Sequence, residues 1–121
     1  MTESTDVRNM LPLSALDFHV LLVLSAEDLW GYAILKTVEA QSDGVVTVEI
    51  GSLYRVLGRL MDAGLVAEAN APADAPETHR GRPRRYYRLS ELGLEVARAE
   101  AARLRGVMSV ARALLPDALR S

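Results

Sequence analysis

Near the end of the chain, Leu94, Ala97, Ala101, Leu104, Met108, Ala111 and Leu115 are separated by alternating steps of three and four. That alternation is the a/d seam of a helix packed lengthwise on another helix. Ser90 is a good N-cap, Leu89 and Leu94 stand at staple positions, and Pro116 stops the run. One long helix is therefore predicted over 90–115. The preceding domain is small, so an exposed apolar seam of this length needs a partner.

Upstream, the apolar pattern predicts three shorter helices. Ser14 caps the first, with Asp17 beside its free N–H groups, and Leu16, Val20, Leu21, Val23 and Leu24 form its apolar face. It should end near Ala26, because Glu27 and Asp28 would oppose the dipole of a longer helix. The second runs from Gly31 to Gln41 on Tyr32, Ile34, Leu35 and Val38, and Ser42-Asp43-Gly44 breaks it. A β-prone segment, Val45 to Val48, follows. The third covers Glu49 to Ala63 on the stripe Ile50, Leu53, Leu57, Leu60 and Met61, with Gly64 as its stop. Leu65 to Asn70 reads as a strand, 71–79 as a Pro-rich loop, and a second strand ends at Leu89. The two strands make a β-hairpin.

The 121 residues suit one domain with an appendage. A tail is expected over 1–12, a globular unit over 13–89, the long helix over 90–116 and a second tail over 117–121. Half the residues are hydrophobic and only 5% aromatic, so the core must be aliphatic. No apolar run is long enough to span a membrane, the polar start does not read as a signal peptide, and the lack of cysteine fits a reducing cytoplasm.

Charge is distributed unevenly. Residues 1–49 hold two basic and eight acidic side chains, whereas 50–90 hold seven basic and four acidic. Five of those seven, Arg80, Arg82, Arg84, Arg85 and Arg88, flank Tyr86 and Tyr87 in one short run. Arginine forks match phosphate geometry, although a charge run alone is more often a solvated face. Order decides the matter. Helices two and three form a helix-turn-helix and the hairpin behind them is a wing, so the fold class is mainly α with a small β-hairpin. In that arrangement the third helix enters the DNA major groove. Ser52, Arg55 and Arg59 line up along it, where a hydroxyl and helix N–H groups can meet phosphate and arginines can reach guanine edges or phosphates. The wing arginines, Arg80 and Arg82 at its tip and Arg84 on its return, reach the neighbouring backbone or minor groove.

At this point Gly31-Tyr32-Ala33-Ile34, Gly51-Ser52-Leu53-Tyr54-Arg55, Gly64-Leu65-Val66 and the run from Gly81 to Ser90 followed by Gly93 closely resemble the PadR family of bacterial transcription regulators. The likeness covers residues 12–98, with the motifs in order. It implies a dimeric winged-helix protein, usually a repressor, whose dimers form through the long final helix. It also implies DNA contacts by Tyr54 and by the wing arginines. Ile50 stands where the family usually has proline, and 71–79 is an extra stretch in the wing.

Tyr32 and Lys36 complete the expected DNA-binding set. Trp30, His19 and His79 read as packing or loop residues. Two distant histidines and no cysteine argue against a metal site, and no nucleophile has an oriented base, so neither a cofactor nor catalysis is expected. The expected function is a homodimeric repressor on a pseudo-palindromic operator, with release by a small-molecule effector, sensed between subunits or through the N-terminal segment, as an overlay on that reading. The alternative is a winged-helix protein-interaction module, which a stable homodimer would disfavour.

Overall fold

Local hydrogen bonding explains where each element begins. In the computed structural model, which describes residues 7–73, 85–115 and 117, the Ser14 hydroxyl accepts the Asp17 N–H at 3.0 Å and opens helix α1 (Ala15–Ala26). Strand β1 (Leu29–Trp30) leads into α2 (Gly31–Gln41). The turn after α2 is held by Ser42, whose Oγ accepts the Val46 N–H at 2.9 Å. Helix α3 (Ile50–Asp62) follows, then β2 (Val66–Ala69), β3 (Tyr86–Leu89) and the long α4 (Glu91–Leu114).

Helix α3 ends in a Schellman arrangement. Leu65 N–H donates to the Leu60 carbonyl and Gly64 N–H to that of Met61, with Gly64 at φ +79. Ser90 then performs two tasks. Its Oγ accepts the Gly93 N–H and so caps α4, while its O–H donates to the Gly64 carbonyl at 2.6 Å. The core between these elements is aliphatic, as composition required: Val20, Leu21, Ile34, Val38, Leu53, Leu57 and Val96 are fully buried.

Several expectations need correction. The sheet has three antiparallel strands in the order β1-β3-β2, not two, with Leu29 opposite Tyr87 and Val66 opposite Leu89. Val45–Val48 forms no strand; Val46 and Val48 tuck against the core while Val45 is exposed, because Ser42 claims the Val46 backbone. Ile50 and Tyr32, expected in buried stripes, are exposed. Each lies in the first turn of its helix, beyond the reach of the core. Tyr86 is buried like Tyr87, because β1 pairs alongside it.

From Val7 onward the expected N-terminal tail is part of the fold. Residues 7–9 are helical, and Val7, Met10 and Leu11 pack against the core. The Leu13 N–H donates to Glu100 Oε2 of α4 at 3.1 Å. Residues 1–6 and 118–121 lie outside the described residues.

Helix α4 divides into two halves. Gly93, Val96, Ala97 and Glu100 are buried in the domain, so seam residue Ala97 is already spent on its own core. Leu94, before Glu100, is half-buried; beyond Glu100 the seam is largely uncovered, with Ala101, Met108 and Leu115 exposed and Leu104 and Ala111 half-buried. Val107, Val110 and Leu114 are exposed as well, which makes the apolar surface wider than the a/d pattern. Among the described residues no helix is long and apolar enough to cross a membrane.

Candidate nucleic-acid interface

Helix α3 buries Leu53, Leu57 and Leu60, which turns Tyr54 and Arg55 outward. Arg55 is not a loose cation: its Nη2 donates to Ser52 Oγ at 2.9 Å. The hydroxyl expected to meet a phosphate therefore orients the arginine one turn ahead of it. Glu39 and Glu49 share a groove with Ser52, Thr47 and Val48. Two carboxylates there disfavour a phosphate at the start of α3, so Arg55 is the cation that this end of the helix offers.

Tyr54 joins α3 to α2 and to the wing. Its ring lies over Gly31, where an added Cβ would sit 2.6 Å from the hydroxyl and 2.8 Å from Cζ. A larger residue at position 31 would displace the ring. The ring remains 44% exposed, so packing and an outward hydroxyl coexist. Next to Gly31 along the chain, the Trp30 and Tyr32 rings meet at 5.7 Å between centroids, tilted by 36°, and Lys36 Nζ lies 5.9 Å from the Tyr32 ring. Lys36 also approaches Glu39 at 3.7 Å, an exposed pair of little energetic weight. Tyr32, Lys36, Tyr54, Ser52 and Arg55 thus occupy the exposed sides of the two helices of the helix-turn-helix.

The arginine run is divided by the strand that carries it. Arg80, Arg82 and Arg84 lie outside the described residues. Arg85 approaches Glu68 at 3.4 Å across the hairpin, and its guanidinium pKa is raised first by the Tyr87 hydroxyl and then by the Glu68 charge. Burial pushes the Tyr87 phenol up, and the adjacent Arg85 opposes that. Arg85 is thus engaged at the base of the hairpin, through an exposed pair of little energetic weight. Arg88 instead lines a groove with Leu24, Asp28 and Glu91, beside the acidic end of α1.

Arg59 also departs from expectation. Its Nη1 and Nη2 donate to the two Asp17 carboxylate oxygens at 3.0 and 2.8 Å, a fork-to-fork pair between α3 and α1. The hydrogen bond to Asp17, then its charge, raises the Arg59 pKa. Sequence reasoning put Asp17 at a helix cap, a role compatible with this second one. It missed Glu100 altogether, a carboxylate 1% exposed that accepts from Arg103 Nε at 2.6 Å, from Arg103 Nη2 at 2.9 Å and from Leu13 N–H. Arg103 is the first cause of its lowered pKa, against the opposing effect of burial. Only a break in the polar pattern of α4 marks it in the sequence. His19, read as a packing residue, donates from Nδ1 to Gln41 Oε1 at 2.6 Å and ties α1 to α2. Among the described residues no three His, Asp or Glu side chains gather as a metal site.

The fold is shared with solved regulators. A PadR family transcription regulator from hypervirulent Clostridium difficile R20291 superposes with a TM-score of 0.67 at 22% identity, over 84% of this chain and 99% of that one. A PadR-like transcriptional regulator from Bacillus cereus gives 0.66 at 23% identity, over 83% and 90%. A PadR family regulator from Eggerthella lenta gives 0.58 at 29% identity, over 92% and 86%. No curated protein matches the sequence. Residues 20–99 match the family described as the transcriptional regulator PadR-like family. The winged helix-turn-helix, the outward Tyr54 and Arg55, and this match over most of the chain agree: the protein belongs to the PadR-like family of DNA-binding transcriptional regulators.

Proposed function

We propose that this regulator is a cytoplasmic repressor that binds a pseudo-palindromic operator as a homodimer joined along α4. The observation that carries the reading is the joint exposure of Tyr32, Lys36, Tyr54 and Arg55 on one helix-turn-helix. Arg55, held by Ser52, reads a base edge or clamps a phosphate. Lys36, Tyr32 and Tyr54 hold the backbone, and Arg80, Arg82 and Arg84 extend the grip through the wing.

Titration of operator DNA, taken first from upstream of the protein's own gene, tests this by fluorescence anisotropy across a salt series. Log affinity should fall linearly with log salt, because phosphate contacts release counterions. Arg55→Ala should weaken operator binding by roughly 1–3 kcal/mol per half-site. A salt-independent affinity, or an Arg55→Ala variant that binds like the parent, would refute the proposal.

The bare face of α4 supports the dimer. Val107→Glu together with Leu114→Glu should convert a dimer to monomers in sedimentation velocity and leave the far-ultraviolet spectrum of the domain intact. Unchanged sedimentation would count against this interface. The groove between α1 and α4 supports effector release. It has a volume of about 420 Å³ and is lined by Leu13, Phe18, Leu22 and Leu104, with Glu100 and Arg103 as its polar members.

A further inference from the structure

We infer that Asp17 and Arg59 are positioning residues that set the docking angle of α3 on DNA, and that Arg59 is not itself a phosphate contact. The inference rests on the operator-binding reading above. Three observations carry it. First, Arg59 directs the end-on fork of its guanidinium, one N–H from each terminal nitrogen, at a single carboxylate, which fixes the head group and leaves its other N–H groups toward solvent. Second, the Asp17 side chain is only 11% exposed and belongs to a helix whose other faces fill the core, so it is a fixed anchor. Third, the pair joins two helices far apart in sequence, and it lies in the last turn of α3, opposite the end carrying Ser52. Leu53, Leu57 and Leu60, with Val56 and Met61 beside them, hold α3 against the body. A bidentate link at its far end fixes the remaining rotation.

The anchor is itself referenced to α4. Glu100 accepts the Leu13 N–H, Ser14 caps α1, and the Asp17 backbone donates to that cap. A short polar succession therefore runs from α4 through the first turn of α1 to α3. In a dimer joined by α4, the angle at which each α3 meets its half-site is defined relative to the dimer axis by these contacts.

The two possible roles of Arg59 predict opposite signs for one substitution. If Arg59 were a phosphate contact parked on a carboxylate, Asp17→Asn would free it, tighten DNA binding and steepen the salt dependence. If the pair positions α3, Asp17→Asn should weaken operator binding by about tenfold, with the slope of log affinity against log salt unchanged and binding to unrelated DNA unaffected. Arg59→Gln should behave the same way. Lys36→Ala is the control for a true phosphate contact, with the slope shallower by about 0.9 per contact removed. The exchanged pair, Asp17→Arg with Arg59→Asp, should recover operator affinity to within about threefold of the parent, since it restores the link with the charges reversed.

Circular dichroism and melting temperatures establish that each variant is folded at the titration temperature, and the exchanged pair serves if a single variant is not. Tighter binding by Asp17→Asn, a shallower slope for Arg59→Gln, or no recovery in a folded exchanged pair would overturn the inference. A parent protein that shows no salt-dependent DNA binding would defeat the operator-binding reading, and the positioning role with it. Normal parent binding with any of the three contrary results defeats the positioning role alone.

Discussion

Replacing Gly93 by alanine should cost about 3 kcal/mol or more and lower the melting temperature by roughly 10 °C or more. A Cβ there would lie 2.1 Å from the Leu65 carbonyl oxygen and 2.6 Å from Leu89 Cδ1. The leucine methyl can swing away, but the carbonyl cannot, because it also accepts the Ser90 N–H at 3.0 Å. Relief must come from separating α4 from the turn after α3. Gly106 supplies the internal control. Nothing lies within 4 Å of a Cβ built there, so Gly106→Ala should gain roughly 0.5–1 kcal/mol from helix propensity alone. Thermal melts of the two variants, in the same helix with the same chemical change, should move in opposite directions. A Gly93→Ala variant as stable as its parent would show that the α3–α4 corner can spread.

Arg103→Ala should be the second most damaging change near neutral pH, read as a lowered urea midpoint. The loss is smaller than for a fully buried pair because Arg103 is partly in solvent. The loss comes from Glu100, a nearly inaccessible carboxylate that would keep the Leu13 N–H but lose its cation. The pH dependence follows from its lowered pKa. In the parent, the ion-paired carboxylate contributes stability that is fully present above the ordinary glutamate range. That contribution is lost as pH falls through the depressed folded value. Arg103→Ala removes the largest cause of the depression and leaves burial, which acts the other way. The stability gap between parent and variant should therefore be widest at neutral pH and should shrink in acid as Glu100 takes a proton. Urea midpoints at pH 7 and pH 4 measure it, and a gap independent of pH would rule out the carboxylate as the source.

Much of the fold was readable because it is local. Ser14 and Ser90 declare helix starts by chemistry that acts over three residues, Gly64 declares a stop, and the leucines of α3 repeat at helical spacing. The elements that escaped depend on distant parts of the chain. Strand β1 is two residues long and so has no alternation to detect; it exists because β3 offers it an edge. Val45–Val48 has the composition of a strand but no neighbour to pair with. The site divides the same way. Tyr54 and Arg55 face outward because Leu53 and Leu57 face inward, which the spacing of α3 already dictates. The attachment of Arg59 to a carboxylate 42 residues away, and the burial of Glu100 under the N-terminal segment, are properties of packing that no window of sequence displays.

The corner formed by Gly64, Leu65 and Ser90 has a consequence for how such a regulator can diversify. Ser90 bonds to the carbonyls of both Gly64 and Leu65, so the chain leaves α3, travels out through the wing and returns to within one hydrogen bond of its departure point. The body is closed without the wing's tip. Lengthening a closed loop costs only about 0.6 kcal/mol per doubling, so insertions between β2 and β3 leave the α3–α4 angle untouched. Under the operator-binding function proposed above, new loop residues would retune the grip on DNA while α3 keeps its aim.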